Sequence, residues 1–462
     1  MKHNYKNFQD ELSIIKQFES FNSKEVKISR SEDLASITKS KRRFQLYFNG
    51  IFPYPKTNEL AIAIDGITCI IKSADFLAEA DNPFLEIPCE QYFEIDYLKK
   101  GYIREQTCFR MFFFDDSDRS SIFYKKIEAP KHDGIIPWNF NTVRITIKGN
   151  RYDIVQFKHE EQSYIVIENL DAVAYGSFKE DAFAIQKGIG FLVGYMPGGE
   201  DYIFAGENFE YRRLSRPSLK SIYYPVTSNP YSFSIMRNEN AVAEKYETKL
   251  HSVPSSVVSN LVSQIRDNEE LSVAIIFLME AMSLKSAVSM PGVFSVVLES
   301  LANIIVSPEK INAKLIHDKT VAKELIYELK AVLSKFSNKI DEDATIKIER
   351  RINALNQPLN PQRITNAHKL REPFDQLGIK LSEQDEEAIN YRNYLLHGNI
   401  LMNDENPRSS KEIDDHMIYV SARLYTLISK LILKNSGYEG YVINHSRFLN
   451  REESKEEFFE EI

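Results

Sequence analysis

Cysteine is scarce in this chain: Cys69, Cys89 and Cys108 are the only three in 462 residues. The number is odd, all three fall in the N-terminal half, and none forms a Cys-x-x-Cys pair, which argues against a disulfide framework or a zinc site. The expectation is of reduced core thiols in a cytoplasmic protein. Long apolar runs are lacking too. The longest, Leu271 to Met290, is interrupted by Glu280 and Lys285 and reads as a buried helix rather than a membrane span. The N-terminus, Met1-Lys2-His3-Asn4-Tyr5-Lys6, leads into a mixed polar stretch without an apolar core, which does not read as a signal peptide.

Several chemistries lack their motifs. There is no Walker-type phosphate loop, no His-Glu-x-x-His helix, no Gly-x-Ser-x-Gly elbow and no internal repeat. His132, His159, His317 and His368 are scattered without ligand spacing, and no carboxylate cluster stands out. Neither a metal nor a cofactor is expected. An excess of positive charge is absent as well: the formal charge is −8 and the pI about 5.8. That excludes a protein that coats nucleic acid through bulk charge, but it leaves room for a local basic surface. Lys319 to Arg371 carries Lys323, Lys330, Lys335, Lys339, Lys347, Arg350, Arg351, Arg363 and Lys369. These either line a groove for RNA or are the solvated faces of amphipathic helices.

What is present divides the chain in two, giving an α+β fold class: an N-terminal antiparallel β-rich, sandwich-like domain followed by a C-terminal α-helical bundle. Residues 1–42 mix charged and apolar positions and are assigned as a lead-in. In 43–236, aromatic and β-branched residues alternate with turn formers, as many short strands require. The clearest strand is Thr142 to Lys148, with Val143, Ile145 and Ile147 on one side; Gly149-Asn150 supplies a turn, and Tyr152 to Lys158 and Tyr164 to Ile167 follow as a meander. One helix interrupts the strands. Ser177-Phe178-Lys179-Glu180 has the form of a capping box, Gly188 and Gly190 end the run, and Phe191 to Tyr195 reads as a buried strand. Those glycines precede a strand, so close backbone packing accounts for them better than a phosphate cradle. Trp138, the single tryptophan, is expected to be a buried aromatic at a strand mouth.

Residues 237–254 are polar and read as a linker, 255–440 as the helical domain and 441–462 as an acidic, frayed tail. Helical patterns run over Ser255 to Arg266, Leu271 to Met290, Val293 to Val306, Val321 to Phe336, Ala344 to Leu355 and Ile364 to Leu377, with Pro291-Gly292 breaking the second from the third. The last helix carries Ile413, Met417, Val420, Leu424, Leu427 and Leu431 at steps of four and three, a stripe expected to pack inside its own bundle, and Gly437 closes it. His416 lies off the stripe and reads as a surface residue rather than a second catalytic base.

The most informative stretch is Tyr391-Arg392-Asn393-Tyr394-Leu395-Leu396-His397-Gly398. Ser382 and the acidic residues after it mark a helix N-terminus, and Gly398 stands where a left-handed cap belongs. Asn393 and His397 are four apart and share a face, so the amide can hold the imidazole in one tautomer. Arg392 precedes His397 by five positions, about 140° away, so one copy aims the pair poorly at a single phosphate. Two copies across a two-fold axis could each supply what the other lacks. A histidine that shuttles a proton beside a guanidinium that neutralises a phosphoryl group suits metal-free RNA cleavage. The bland account is that His397 caps the helix and Arg392 is a solvated charge.

Arg392-Asn393-Tyr394-Leu395-Leu396-His397 resembles the Arg-Asn-x3-His motif of the HEPN superfamily, and the surrounding helices resemble ApeA-like HEPN proteins of bacterial phage defence. The resemblance covers roughly the last 200 residues. It implies a bundle that dimerises into a composite endoribonuclease site, with Arg392 and His397 as the catalytic pair and Asn393 in support, and cleavage that leaves a 2′,3′-cyclic phosphate and a 5′-hydroxyl. It implies RNA as substrate, tRNA being one candidate, a phage-derived trigger, a homodimer or higher even oligomer, no membrane association, and a toxin held inactive until infection. The β-rich domain would then sense the trigger or restrain the nuclease. The alternative is a non-catalytic binding protein whose β-rich domain recognises a peptide, glycan or phage component.

Overall fold

Val143, Ile145 and Ile147 alternate with Arg144 and Thr146, and the strand they form, Thr142–Ile147, has its apolar residues buried. Lys148 and Gly149 then turn the chain with φ of 49° and 84°, the left-handed pair that a two-residue hairpin takes. The turn sits one residue earlier than Gly149-Asn150, because Asn150 already pairs with Ile147. The structure is a computed structural model that describes residues 8–20, 22–28, 34–40, 43–48, 58–65, 67–73, 91–103, 105–132, 136–137, 141–228, 240–286, 289–306, 316, 318–336, 338–355, 366–396, 409–449 and 456–462. Trp138, Cys89 and His397 lie outside the described residues. The chain forms two compact units, Met1–Ser286 with Ser436–Arg447 and Lys455–Ile462, and Ala287–Asn435 with Phe448–Ser454.

Among the described residues, the first unit is built on an antiparallel sheet of thirteen strands. In chain order they are β1 (Asn22–Ile28), β2 (Leu34–Ser40), β3 (Arg43–Phe48), β4 (Glu59–Ile64), β5 (Ile67–Lys72), β6 (Gln91–Ile95), β7 (Tyr97–Lys100), β8 (Arg110–Phe114), β9 (Thr142–Ile147), β10 (Asn150–His159), β11 (Gln162–Asn169), β12 (Glu200–Ala205) and β13 (Asn208–Arg213). Across the sheet the order is β9-β10-β11-β8-β12-β13-β7-β5-β4-β1-β2-β3-β6. Only Asp96 separates β6 from β7 in the chain, yet β6 pairs with β3 and β7 with β5 and β13. The ladder therefore comes back on itself, and one continuous sheet replaces the sandwich of two separately paired sheets.

Residues 1–42 are not a mere lead-in: they supply β1, β2 and the helix α1 (Gln9–Glu19). Leu12, Ile15 and Phe18 recur at helical spacing and join one buried cluster with Ile37, Phe44, Phe112, Tyr202 and Tyr211. Within that cluster Lys39 of β2 is 2% exposed, bonds Glu200 Oε2 at 2.8 Å and Tyr202 Oη at 3.0 Å, pairs with Glu19, and lies 4.6 Å from the Phe44 ring and 4.9 Å from that of Tyr211.

The helix expected to start with a capping box starts earlier. In α2 (Tyr175–Val193), Ala174 is the N-cap, and Ser177 and Glu180 instead meet Arg266 at 3.3 and 3.0 Å. The helix also runs through Gly188 and Gly190 to a left-handed Gly194, so Phe191 to Val193 are helical, not a strand. The glycines are there for approach: a Cβ at Gly188 would stand 2.9 Å from Val262 Cγ2, and one at Gly190 2.8 Å from Met196 Cβ.

Residues 237–254 are likewise more than a linker, since α3 (Asn240–Tyr246) lies among them. With α4 (Ser255–Asp267) and α5 (Glu269–Leu284) it belongs to the first unit, so the division falls after Ser286, and the helical unit begins later than residue 255. The acidic tail is not frayed either. After the short helix that begins at His445, Phe459–Glu461 pairs antiparallel with Tyr441–Ile443, Phe458 and Phe459 are buried, and Glu457 bonds Lys245 at 2.6 Å and Tyr246 at 2.9 Å. Of the cysteines, Cys69 is buried, its thiol pushed up to about 11 by that burial, whereas Cys108 is exposed rather than in the core.

The second unit is helical: α6 (Ser289–Ile305), α7 (Lys319–Ser334), α8 (Glu342–Ala354), α9 (Asn366–Leu377), α10 (Glu383–Leu396) and α11 (Ser410–Asn435). Pro291 and Gly292 sit in the first turn of α6 and do not separate two helices; a proline is tolerated there, where its missing N–H has no helical partner. The chain breaks earlier, at Lys285, which ends α5 with φ of 54°. In α11, Met417, Val420, Leu424, Leu427 and Leu431 are buried, and the helix packs against α6, α9 and α10, so the stripe lies inside its own bundle. Asp318 and Asp341 cap α7 and α8, whose lysines are mostly exposed or paired, as in Lys330 with Glu349 at 3.6 Å.

Candidate functional site

The helix that carries the motif begins with a reciprocal cap. Asp385 N–H donates to Ser382 Oγ at 3.2 Å, and Ser382 N–H donates to Asp385 Oδ2 at 2.8 Å, so two otherwise unpaired amides are satisfied. Glu383, Asp385 and Glu386 fill the first turn, matching the positive end of the helix dipole. Asp385 has a second task. Its Oδ1 accepts from Arg423 Nε on α11 at 2.6 Å, with the two side chains 1% and 3% exposed. Arg371 of α9 reaches Glu386 at 3.0 Å, which ties a third helix to the same turn.

Further along, Tyr391 is buried and the imidazole of His416 meets its ring edge to face, centroids 4.7 Å apart and planes at 87°. His416 is half-buried, not the surface residue its place off the apolar stripe suggested. The two cross-links fix the pairing. Six residues on from Asp385 along α10, the partner lies seven residues back along α11, so the helices run antiparallel. Arg392 occupies the α10 position seven after Asp385, and His416 the α11 position seven before Arg423.

Of the three motif residues, Arg392 and Asn393 thus belong to the last two turns of α10, and His397 follows the helix outside the described residues. The shared face of Asn393 and His397 and the glycine cap at Gly398 fall outside them as well. The packing of His416 was not readable from sequence, because one polar residue off an apolar stripe has no local mark of a packed position.

Among the described residues, no group of His, Cys, Asp and Glu is arranged to hold a metal, and no helix is long and apolar enough to cross a membrane. Among the described residues, the groups with shifted pKa lie in the first unit. Burial pushes Lys126 down to about 8 and His445 down to about 4. Two clefts there are lined by polar residues: one of about 650 Å³ holds Arg144, Ser255 and Ser259, and one of about 570 Å³ holds Asp115, Arg119 and Gln156. No family model, curated protein or solved structure matches the chain.

Proposed function

We propose that the chain is a HEPN-type, metal-independent endoribonuclease of antiviral defence, in which RNA is cleaved at a site composed across a homodimer. The observation that carries the reading is Arg392-Asn393-x3-His397, with its first two residues in the closing turns of a helix held inside a bundle by the Asp385–Arg423 pair. The 2′-hydroxyl of the RNA is the nucleophile: as its proton leaves, O2′ bonds to phosphorus and the bond to O5′ breaks. Arg392 neutralises charge on the phosphoryl oxygens, His397 transfers a proton, and Asn393 orients the imidazole. The first unit senses a phage-derived trigger or restrains the nuclease.

The test is mapping of RNA 3′ ends in cells that express the protein, wild type beside His397→Ala, with in-vitro digests in EDTA. New cyclic-phosphate ends confined to the wild type, with digestion that survives EDTA, are the expected result. Ends that persist in His397→Ala would remove the assignment. A second reading, a binding protein without catalysis, draws on the two polar clefts of the first unit. It expects His397→Ala to behave as wild type and changes at the clefts to abolish the phenotype.

A further inference from the structure

A helix on a protein surface turns one apolar stripe to its neighbours and the rest to water. The α7 helix has two such stripes. Ala322, Ile326, Leu329 and Leu333, at steps of four, three and four, are buried or half-buried. Val321, Leu325 and Val332 fall within about 40° of one another, centred about 100° round from the first stripe, and they are 51%, 40% and 47% exposed. Phe336, just past the helix, is exposed too. Among the described residues α7 and α8 pack principally on each other, Ala322 is the one buried residue of α7, and α8 has none. Propensity alone leaves helices of this length marginal, so a hairpin with so little core needs something further to pack against.

We infer that this face of the α7–α8 hairpin is where a second copy of the chain docks, about a two-fold axis. The inference gives the homodimer of the ribonuclease reading a surface and takes nothing else from that reading. Two observations select a second copy. The first is charge. The α8 helix is preceded by Asp341 and opens with Glu342 and Asp343, while its second half carries Lys347, Arg350 and Arg351, all exposed. Asp343 and Arg350 are seven apart and share a side of the helix. In a two-fold interface, wherever residue i meets residue j, j also meets i. Two α8 helices laid antiparallel therefore set Asp343 of each copy against Arg350 of the other, because the charge pattern is complementary to its own reverse. Lys330 meets Glu349 at 3.6 Å across a short connection, so α7 and α8 are antiparallel neighbours. With their covered stripes turned to each other, the exposed stripe of α7 and the Asp343–Arg350 row fall on one broad side of the hairpin. The second observation is size. The 16 residues of α7 span about 24 Å, and two helices side by side are about 20 Å wide. That is the scale of a specific interface, which takes about 800 Å² of accessible surface from each partner.

The experiment is sedimentation of the full-length protein, with helix content followed by circular dichroism. Wild type is compared with Leu325→Lys/Val332→Lys, with Asp343→Lys and Arg350→Glu singly, and with the double reversal Asp343→Lys/Arg350→Glu. The wild type should be a dimer, and the stripe variant should keep its helix content and sediment as a monomer. Each single reversal sets like charges together across the axis and should weaken the dimer by about tenfold or more. The double reversal restores opposite signs between the copies and should recover it, which side chains that matter only to their own fold would not do. A monomeric wild type, a dimer that the stripe variant leaves intact, or a double reversal no tighter than the single ones would overturn the inference. Its failure is separable from that of the ribonuclease reading. A dimer dispersed by the stripe variant, in a protein whose RNA ends do not depend on His397, keeps the interface and removes the nuclease; His397-dependent ends beside a dimer indifferent to every variant remove only the interface.

Discussion

Asp385 and Arg423 form a buried ion pair at 2.6 Å in which the carboxylate also caps its own helix through Ser382. One side chain thus sets the start of α10 and its register against α11. Removing one member of a buried pair leaves an uncompensated charge and costs about 3–5 kcal/mol. Arg423→Met should lower stability by that order in urea unfolding of the full chain. Asp385→Asn added to Arg423→Met should recover part of the loss, because a neutral amide carries no buried charge. An Arg423→Met protein as stable as wild type would show that the pair contributes nothing.

The register matters because the motif stands two turns further on. His397→Ala and Arg392→Ala should each reduce RNA cleavage by about 10²-fold or more. Mixing the two inactive variants tests the composite site directly. If each copy lends the other a residue, some mixed dimers regain one complete site and activity returns in part; strict inactivity of the mixture would place both residues in one copy.

The elements legible in the sequence were those whose pattern is local. The β9–β10–β11 meander followed from alternation and a glycine turn, and α11 from a stripe at steps of four and three. Others depended on partners far along the chain. Residues 9–40 look patternless alone, since the apolar face of α1 is complete only against strands as distant as β12 and β13. Gly188 and Gly190 look like helix breakers until Val262 and Met196 occupy the space a Cβ would need. Glu457 reads as part of an acidic tail until Lys245 and Tyr246 meet it. Around the motif the division is similar: Arg392, Asn393 and His397 were legible as a motif, whereas the contact of His416 with Tyr391 required the pairing of two helices.

Lys39 in the first unit is a second test of buried charge. It is enclosed by Glu200, Glu19 and the rings of Phe44, Tyr202 and Tyr211. Lys39→Met fills a similar volume but removes the cation from the buried Glu200 carboxylate, so stability should fall by about 3–5 kcal/mol in urea unfolding at neutral pH. A Lys39→Met protein as stable as wild type would show that the buried ion pair contributes nothing.

His445 gives the first unit an acid sensitivity of its own. Its Nε2 lies 2.7 Å from the Tyr224 carbonyl oxygen and its ring 4.8 Å from that of Tyr223, an arrangement in which the neutral imidazole donates to the carbonyl. Burial holds its pKa at about 4 against an ordinary 6.5. Between those values the unfolded chain binds a proton that the folded chain refuses, so stability rises with pH there. The cost is absent above about 6.5 and grows progressively as pH falls toward 4. A depression of this size corresponds to roughly 3 kcal/mol. His445→Gln keeps an N–H for Tyr224 and does not titrate. Its unfolding free energy should therefore fall less steeply than that of wild type between pH 6.5 and 4. Parallel curves over that window would show that His445 takes up its proton in the folded state.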